Sequence, residues 1–334
     1  MTEKENFLRM LRGDMPEWLI FQGSGELPPE IKPATAMCRG PVFRQGGRDI
    51  FGIEYTATDS TGGMELPTPN NFILKDIHDW PDVIKLPDIN DFNIEEIARK
   101  ELEKIDRNEV AVSLSAPSVV QGYFQTLMAF MGFSEGLFTM ACYPEEVYNL
   151  FEYLADFFDE LAVRMIDAYR PDIFGIADDV SSAQNTFMSY DMWCELIKPF
   201  QVRMAKHANE LGIPISMHCC GKCEHLIDDW RSFGVIMWNP PQDMNDLDAI
   251  KKKYGRSLIL NGCSSPKDPY LFSWSTEEEV RQCMRDKIDR FAPDGGYICR
   301  GFVVAAKDDP TVEQRRNWVA DEYLKYGRNW YQKH

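Results

Sequence analysis

His218 and Cys220 stand two residues apart at the end of the apolar run from Ile213 to Met217, just before Gly221 and Cys223. In extended chain, side chains at i and i+2 leave the backbone on the same side, so this imidazole and this thiol can reach a common point. Neutral imidazole and thiolate are donors that zinc accepts. The same pair also suits plain packing, because cysteine is among the most buried residue types. Donors from distant parts of the chain must decide between the two readings.

Several other stretches that read as strands also end on reactive side chains. Asp172 to Ala177 ends in Asp178 and Asp179; adjacent acids in a cleft raise one another's pKa, and Asp178 is taken as the pocket residue. Val235 to Trp238 closes on Asn239, Pro240, Pro241 and Gln242, and Gln242 is a second pocket candidate. Ser257 to Asn261 runs into Gly262 and Cys263, and Gly296 to Cys299 ends on its own thiol. Glu54, between Ile53 and Tyr55, could point a carboxylate into a cleft. If the strand ends converge, His218, Cys220, Cys263 and Cys299 make a set of one histidine and three cysteines. The alternative is three ligands with one coordination place open to a substrate thiol. Zinc held that way delivers a thiolate at neutral pH, which alkyl transfer to sulfur requires.

The elements that would position these groups alternate. At least seven strands are expected: Trp18 to Phe21, Val110 to Ser115, Asp172 to Ala177, Ile213 to His218, Val235 to Trp238, Ser257 to Asn261 and Gly296 to Cys299. Helical patterns lie between them. Asp91 to Arg107 has Asn93 and Glu96 at capping-box spacing, Pro144 opens a long amphipathic run to Tyr169, and Asp191 to Leu211 is helical around Pro199. Asp246 to Tyr254 and a segment from Thr276 to Phe291 complete the set. Residues 46–74, rich in Gly, Thr, Pro and Asn, read as an inserted loop or hairpin over one face. This alternation predicts an α/β fold, a (β/α)8 TIM barrel with an N-terminal hairpin or loop insertion. Neither GxGxxG nor GxxxxGK[ST] occurs, which speaks against a doubly wound phosphate-binding sheet. In such a barrel the carboxyl ends of all strands meet on one face, which is what would gather residues so far apart in sequence.

The chain as a whole limits the choice of partners. Its 334 residues, 44% hydrophobic, suit one barrel domain spanning 1–334. A net charge of -17 argues against a nucleic-acid partner, and no apolar run is long enough to span a membrane. Nine cysteines without framework spacing, in a sequence with no recognisable signal peptide, predict free thiols in a reducing cytoplasm.

Taken together, the stretches Asp49 to Tyr55, Asp172 to Asp179, His218 to Gly221, Asn239 to Gln242 and Asp309 to Gly327 resemble the uroporphyrinogen decarboxylase superfamily over nearly the full length. The resemblance is to its corrinoid-dependent methyltransferase branch, of the methylcobamide:coenzyme M type. It implies a barrel, a zinc ion held by a His-x-Cys motif and a distant cysteine, and a methyl group exchanged with a corrinoid (cobalamin) on a partner protein. Carried over, it puts His218 and Cys220 on the motif and Cys299 on the distant cysteine, with Cys263 as a substitute or fourth ligand. The other side of the reaction is a small-molecule methyl donor or acceptor. In the family the last ligand commonly follows a glycine, whereas Cys299 precedes Arg300 and Gly301. Two alternatives are a decarboxylase acting on a smaller substrate and a non-catalytic corrinoid- or metal-binding relative. Haem biosynthesis fits worse. The first strand is followed by Gln22, Gly23, Ser24, Gly25 and Glu26, where that branch has arginines for the porphyrinogen carboxylates.

Overall fold

The computed structural model describes residues 1–57, 65–118, 122–304 and 308–334. Eight strands form the central sheet: β1 (Ile20–Phe21), β2 (Thr35–Cys38), β3 (Ala111–Ser115), β4 (Ile173–Ala177), β5 (Ile215–His218), β6 (Val235–Asn239), β7 (Ile259–Asn261) and β8 (Tyr297–Cys299). From β2 to β8 each strand pairs in parallel with the next in sequence, and β8 returns to pair with β1. This is the strand order of the expected (β/α)8 barrel. Between β1 and β2 no ladder is formed among the described residues, and a side-chain bond from Gln22 Nε2 to Thr35 Oγ1 (3.0 Å) spans the seam.

The pleat sorts the strand residues into two cores. Ile20, Ala111, Ile173, Met237, Ile259 and Ile298 turn inward and form a small buried cluster with Phe7 and Met10. Their neighbours Phe21, Val112, Phe174, Trp238, Leu260, Tyr297 and Cys299 turn outward into the large cluster shared with the surrounding helices. Because both faces are buried, the strands are almost continuously apolar, as parallel barrel strands are.

Phe7 and Met10 come from the helix Glu3–Leu11, which caps the amino-terminal end of the barrel. The buried Asn6 latches that helix down: its Nδ2 donates to Trp18 O (2.9 Å), and its Oδ1 accepts from Glu17 N (2.7 Å). The barrel therefore has a closed floor, and its interior opens at the carboxyl ends of the strands.

The long helix occupies Pro144–Tyr169 as its period predicts. Three local expectations change. β2 is an eighth strand where none was expected: it is four residues long, it follows Pro33, and its Met37 is exposed, so it carries little apolar signature. The segment around Pro199 is two helices, Tyr190–Leu196 and Lys198–Glu210, because Pro199 has no N–H to continue a single hydrogen-bond ladder. Asn93 precedes the helix Ile94–Leu102 but makes no side-chain cap, whereas Thr276 and Glu279 do form the reciprocal box.

The insertion contains two small antiparallel ladders, Arg44–Gln45 with Arg48–Asp49 and Tyr55–Ala57 with Glu65–Pro67; part of the second turn, 58–64, lies outside the described residues. Buried Asp49 ties it together by accepting from Phe51 N, Ile53 N and the Tyr55 hydroxyl.

Truncating the floor plug removes an aromatic ring at a site with no solvent to refill it. Phe7→Ala is expected to cost about 3–5 kcal/mol of unfolding free energy, read from urea denaturation; a loss below about 1 kcal/mol would show that the helix does not seal the barrel.

Candidate metal centre

β5 delivers His218 inward between its lateral neighbours Ala177 on β4 and Asn239 on β6, which are its Cα partners across the sheet. Ala177 is small and leaves the imidazole room. A register shift between Val235 and Met237 on β6 brings Asn239 opposite His218. His218 Nδ1 and Asn239 Oδ1 are 2.9 Å apart. The amide oxygen only accepts, so Nδ1 carries the proton and the lone pair of Nε2 faces the barrel mouth.

Past β5 the chain turns at Gly221, whose φ is +86°. A Cβ there would lie 2.5 Å from Ser182 O and 2.6 Å from Ser181 O, so glycine alone lets this turn press against the loop after β4. The oxygen Oε1 of Gln242 accepts from Gly221 N (2.6 Å) and Asn245 Oδ1 accepts from Cys223 N (3.0 Å), fixing the turn from the loop after β6.

That close approach joins Cys220 to Asp179. Asp179 Oδ1 accepts from Cys220 N at 2.7 Å and lies 3.8 Å from His218 Nε2. Cys220 Sγ is 3.8 Å from the same Nε2. One donor atom from each of Asp179, His218 and Cys220 lies within 4.8 Å of the other two. Zinc bonds of about 2.0–2.1 Å to nitrogen and about 2.3 Å to sulfur place tetrahedral neighbours about 3.6 Å apart, so the three donors fit one such ion with little movement. The orienting acceptor behind the imidazole is the kind of outer contact that metal-bound histidines carry. Three donors leave a fourth position for an incoming group. Burial, followed by the charge of Asp179, pushes the Cys220 thiol up to about 12.

The structure does not bring Cys263 and Cys299 to this cluster. On β8 it is Ile298 that faces the barrel interior, so Cys299 faces the helices, fully buried beside Phe21 and Tyr297. Cys263 sits on a turn with φ +49° and is likewise buried in the outer core. Burial pushes each thiol up to about 12. They are packing residues here, and the position that reaches inward from the end of β8 is Arg300. Its Nη1 donates to Asn239 Oδ1 at 3.3 Å, the oxygen that also accepts the hydrogen bond from the imidazole Nδ1–H. Burial holds its guanidinium below the usual arginine range.

The same alternation separates the two aspartates. Asp178 points outward to the start of the helix Gly122–Met131, where its Oδ2 accepts weakly from Phe124 N (3.4 Å) and its Oδ1 finds no partner among the described residues. Burial raises its pKa well above the usual range. Asp179, the member of the pair that sequence reasoning passed over, is the one beside His218 and Cys220; the signal available was its even spacing from the inward-facing Ala177. Gln242 supports the turn backbone through Gly221. Glu54 is bonded to Asn71 Nδ2 (2.7 Å) within the insertion. Asn239 and Arg300 also went unselected, and only the register of β6 and β8 reveals them.

The chain aligns over 98% of its length with 99% of a methyltransferase from Methanosarcina mazei, with a TM-score of 0.63 and 14% identity. Lower similarity is found to a sugar phosphate isomerase/epimerase from Parabacteroides distasonis (TM-score 0.38, 10% identity, 69% of this chain and 77% of that one). A 3-keto-L-gulonate-6-phosphate decarboxylase from Vibrio cholerae gives a TM-score of 0.32 at 9% identity, covering 70% of this chain and 80% of that one. No curated protein matches the sequence significantly. None of the described helices is long and apolar enough to cross a membrane. The family model for uroporphyrinogen decarboxylase (URO-D) matches residues 62–300, most of the sequence, and the chain belongs to that family.

Proposed function

We propose that this protein is a zinc-dependent methyltransferase that moves a methyl group between a corrinoid carried by a partner protein and a small thiol-type acceptor or methyl donor. The observation that carries the reading is the meeting of Asp179, His218 and Cys220 donor atoms at the open end of the barrel. The full-length likeness of fold to the Methanosarcina mazei methyltransferase supports it. Zinc at these donors would bind the thiol of the acceptor and hold it as a thiolate, ready to take a methyl group.

The chain's own residues perform the positioning. Asn239 fixes the imidazole tautomer, Asp179 holds the Cys220 backbone, and Gln242 holds the turn at Gly221. Because Phe7, Met10 and the inward isoleucines close the floor, both methyl donor and acceptor must enter from the carboxyl ends of the strands. A protein-borne corrinoid therefore meets the site on that same face. The tetrapyrrole-decarboxylase reading gains nothing at β1: the Gln22 amide is spent on Thr35 and Asn261.

Protein purified without chelator is expected to hold about one equivalent of zinc by elemental analysis, and Cys220→Ser and His218→Ala to hold far less. The loaded protein should exchange a methyl group between methylcobalamin and one of a panel of thiols, and Cys220→Ser should not. Exchange that persists after complete metal removal, or release of carbon dioxide from a carboxylated substrate without metal, would contradict the reading. Asn239→Ala, which leaves every donor in place, should weaken zinc affinity about 10- to 100-fold in a chelator competition; an unchanged affinity would mean that the imidazole needs no orienting acceptor.

A further inference from the structure

Three buried or half-buried cations of this acidic protein are held by carboxylates, Arg315 by Asp309, Lys287 by Asp268 and Arg328 by Glu3, and Lys251 donates to the backbone oxygen of Gly295. Arg300 is different. Among the described residues its guanidinium has one acceptor, Asn239 Oδ1, and no carboxylate. Its side chain lies along the turn after β7, where a Cβ on Gly262 would come within 3.4 Å of Arg300 Cδ. The guanidinium lies 5.0 Å from the centroid of the Phe302 ring, and of the five N–H donors in its planar fork only one on Nη1 has an acceptor among the described residues.

A second group on the same side is also incomplete. Asn261 is the inward residue of β7, as its bond to Gln22 Oε1 (2.7 Å) shows. It is 4% exposed, and its Oδ1 has no partner among the described residues. A buried acceptor without a partner and a half-buried cation with a single long hydrogen bond, one strand apart, describe the polar end of a ligand pocket. The Asn239 oxygen, shared between Arg300 and His218, places that end one side chain away from the candidate metal donors.

We propose that Arg300 anchors a small substrate through an oxyanion, a carboxylate or a sulfonate, and so selects anionic over neutral acceptors or donors of the methyl group. The assignment of the ligand as a methyl acceptor or donor rests on the function proposed above; the oxyanion site itself does not. The oxyanion takes two N–H groups of the fork, and Asn261 Oδ1 accepts from whatever N–H or O–H the substrate carries nearby. The reacting atom then extends toward Asp179, His218 and Cys220. An uncharged analogue of equal size would leave the cation desolvated and unpaired, which is the stronger basis of discrimination.

The test uses the full-length protein, stripped of metal and zinc-loaded in parallel, and compares butyrate, propane-1-sulfonate and neutral butyramide by ligand-observed NMR titration. The wild type is expected to bind at least one of the two anions about tenfold or more tightly than butyramide, in both metal states. The preferred anion identifies the substrate's headgroup. Arg300→Gln should bind all three alike, and Arg300→Lys should keep part of the preference, since it retains the charge but not the fork. With thiols, Arg300→Gln should raise KM for 3-mercaptopropionate and leave that for 2-mercaptoethanol little changed. Equal binding of the anions and butyramide by the wild type, or an anion preference surviving in a folded Arg300→Gln, would overturn the proposal. The three titrated probes carry neither thiol nor methyl donor, so failure of zinc binding or of methyl exchange would sink the proposed activity while leaving this result standing.

Discussion

The two-residue alternation of side chains along eight short parallel strands governs what this barrel can do. A strand residue faces either the closed interior and the mouth above it or the helical layer outside, and a shift of one residue exchanges the two. At the mouth, this parity admits Asp179, His218, Asn239, Asn261 and Arg300. It sends Asp178, Cys219 and Cys299 outward into buried, helix-facing positions. The chemistry is therefore decided by register, and register is decided by which apolar side chains fill the floor.

The two halves of the interior have different tasks. Below, isoleucines, Met237 and the Phe7 plug build a dry floor, held by the amide of Asn6. Above, the inward positions are polar and mostly satisfied by one another: Thr35 with Gln22, Gln22 with Asn261, Asn239 with both His218 and Arg300. Such a network has a fixed shape, which is what a site needs when its residues come from the ends of five different strands, β4 to β8. Asn261 Oδ1 and most of the Arg300 fork are left incomplete within this network. Asp178 is different, an incomplete carboxyl aimed at a helix start, where burial raises its pKa well above the usual range.

Much of this was legible in the sequence. Seven strands and the barrel order follow from apolar runs alternating with helical periods, and His218 with Cys220 follows from spacing alone, because i and i+2 share a face whichever face it is. What could not be read was absolute parity. In Tyr297, Ile298 and Cys299 all three residues are buried, so no polar alternation tells which of them looks inward; the thiol was chosen for its chemistry and the arginine after it was overlooked. The choice of Asp178 over Asp179 failed to anticipate the geometry for the same reason. β2 escaped because four residues with an exposed Met37 leave too little pattern, and the capping roles of Asn245 and Gln242 depend on contacts some twenty residues away in sequence.

The central claim is that one thiolate, one imidazole and one carboxylate share an ion at the barrel mouth, with no second sulfur from β7 or β8. X-ray absorption at the zinc K-edge of the loaded protein counts those neighbours directly. The account predicts a single sulfur at about 2.3 Å with the remaining neighbours nitrogen or oxygen at about 2.0–2.2 Å. A shell of two or more protein sulfurs, abolished by replacing Cys299 or Cys263, would contradict it.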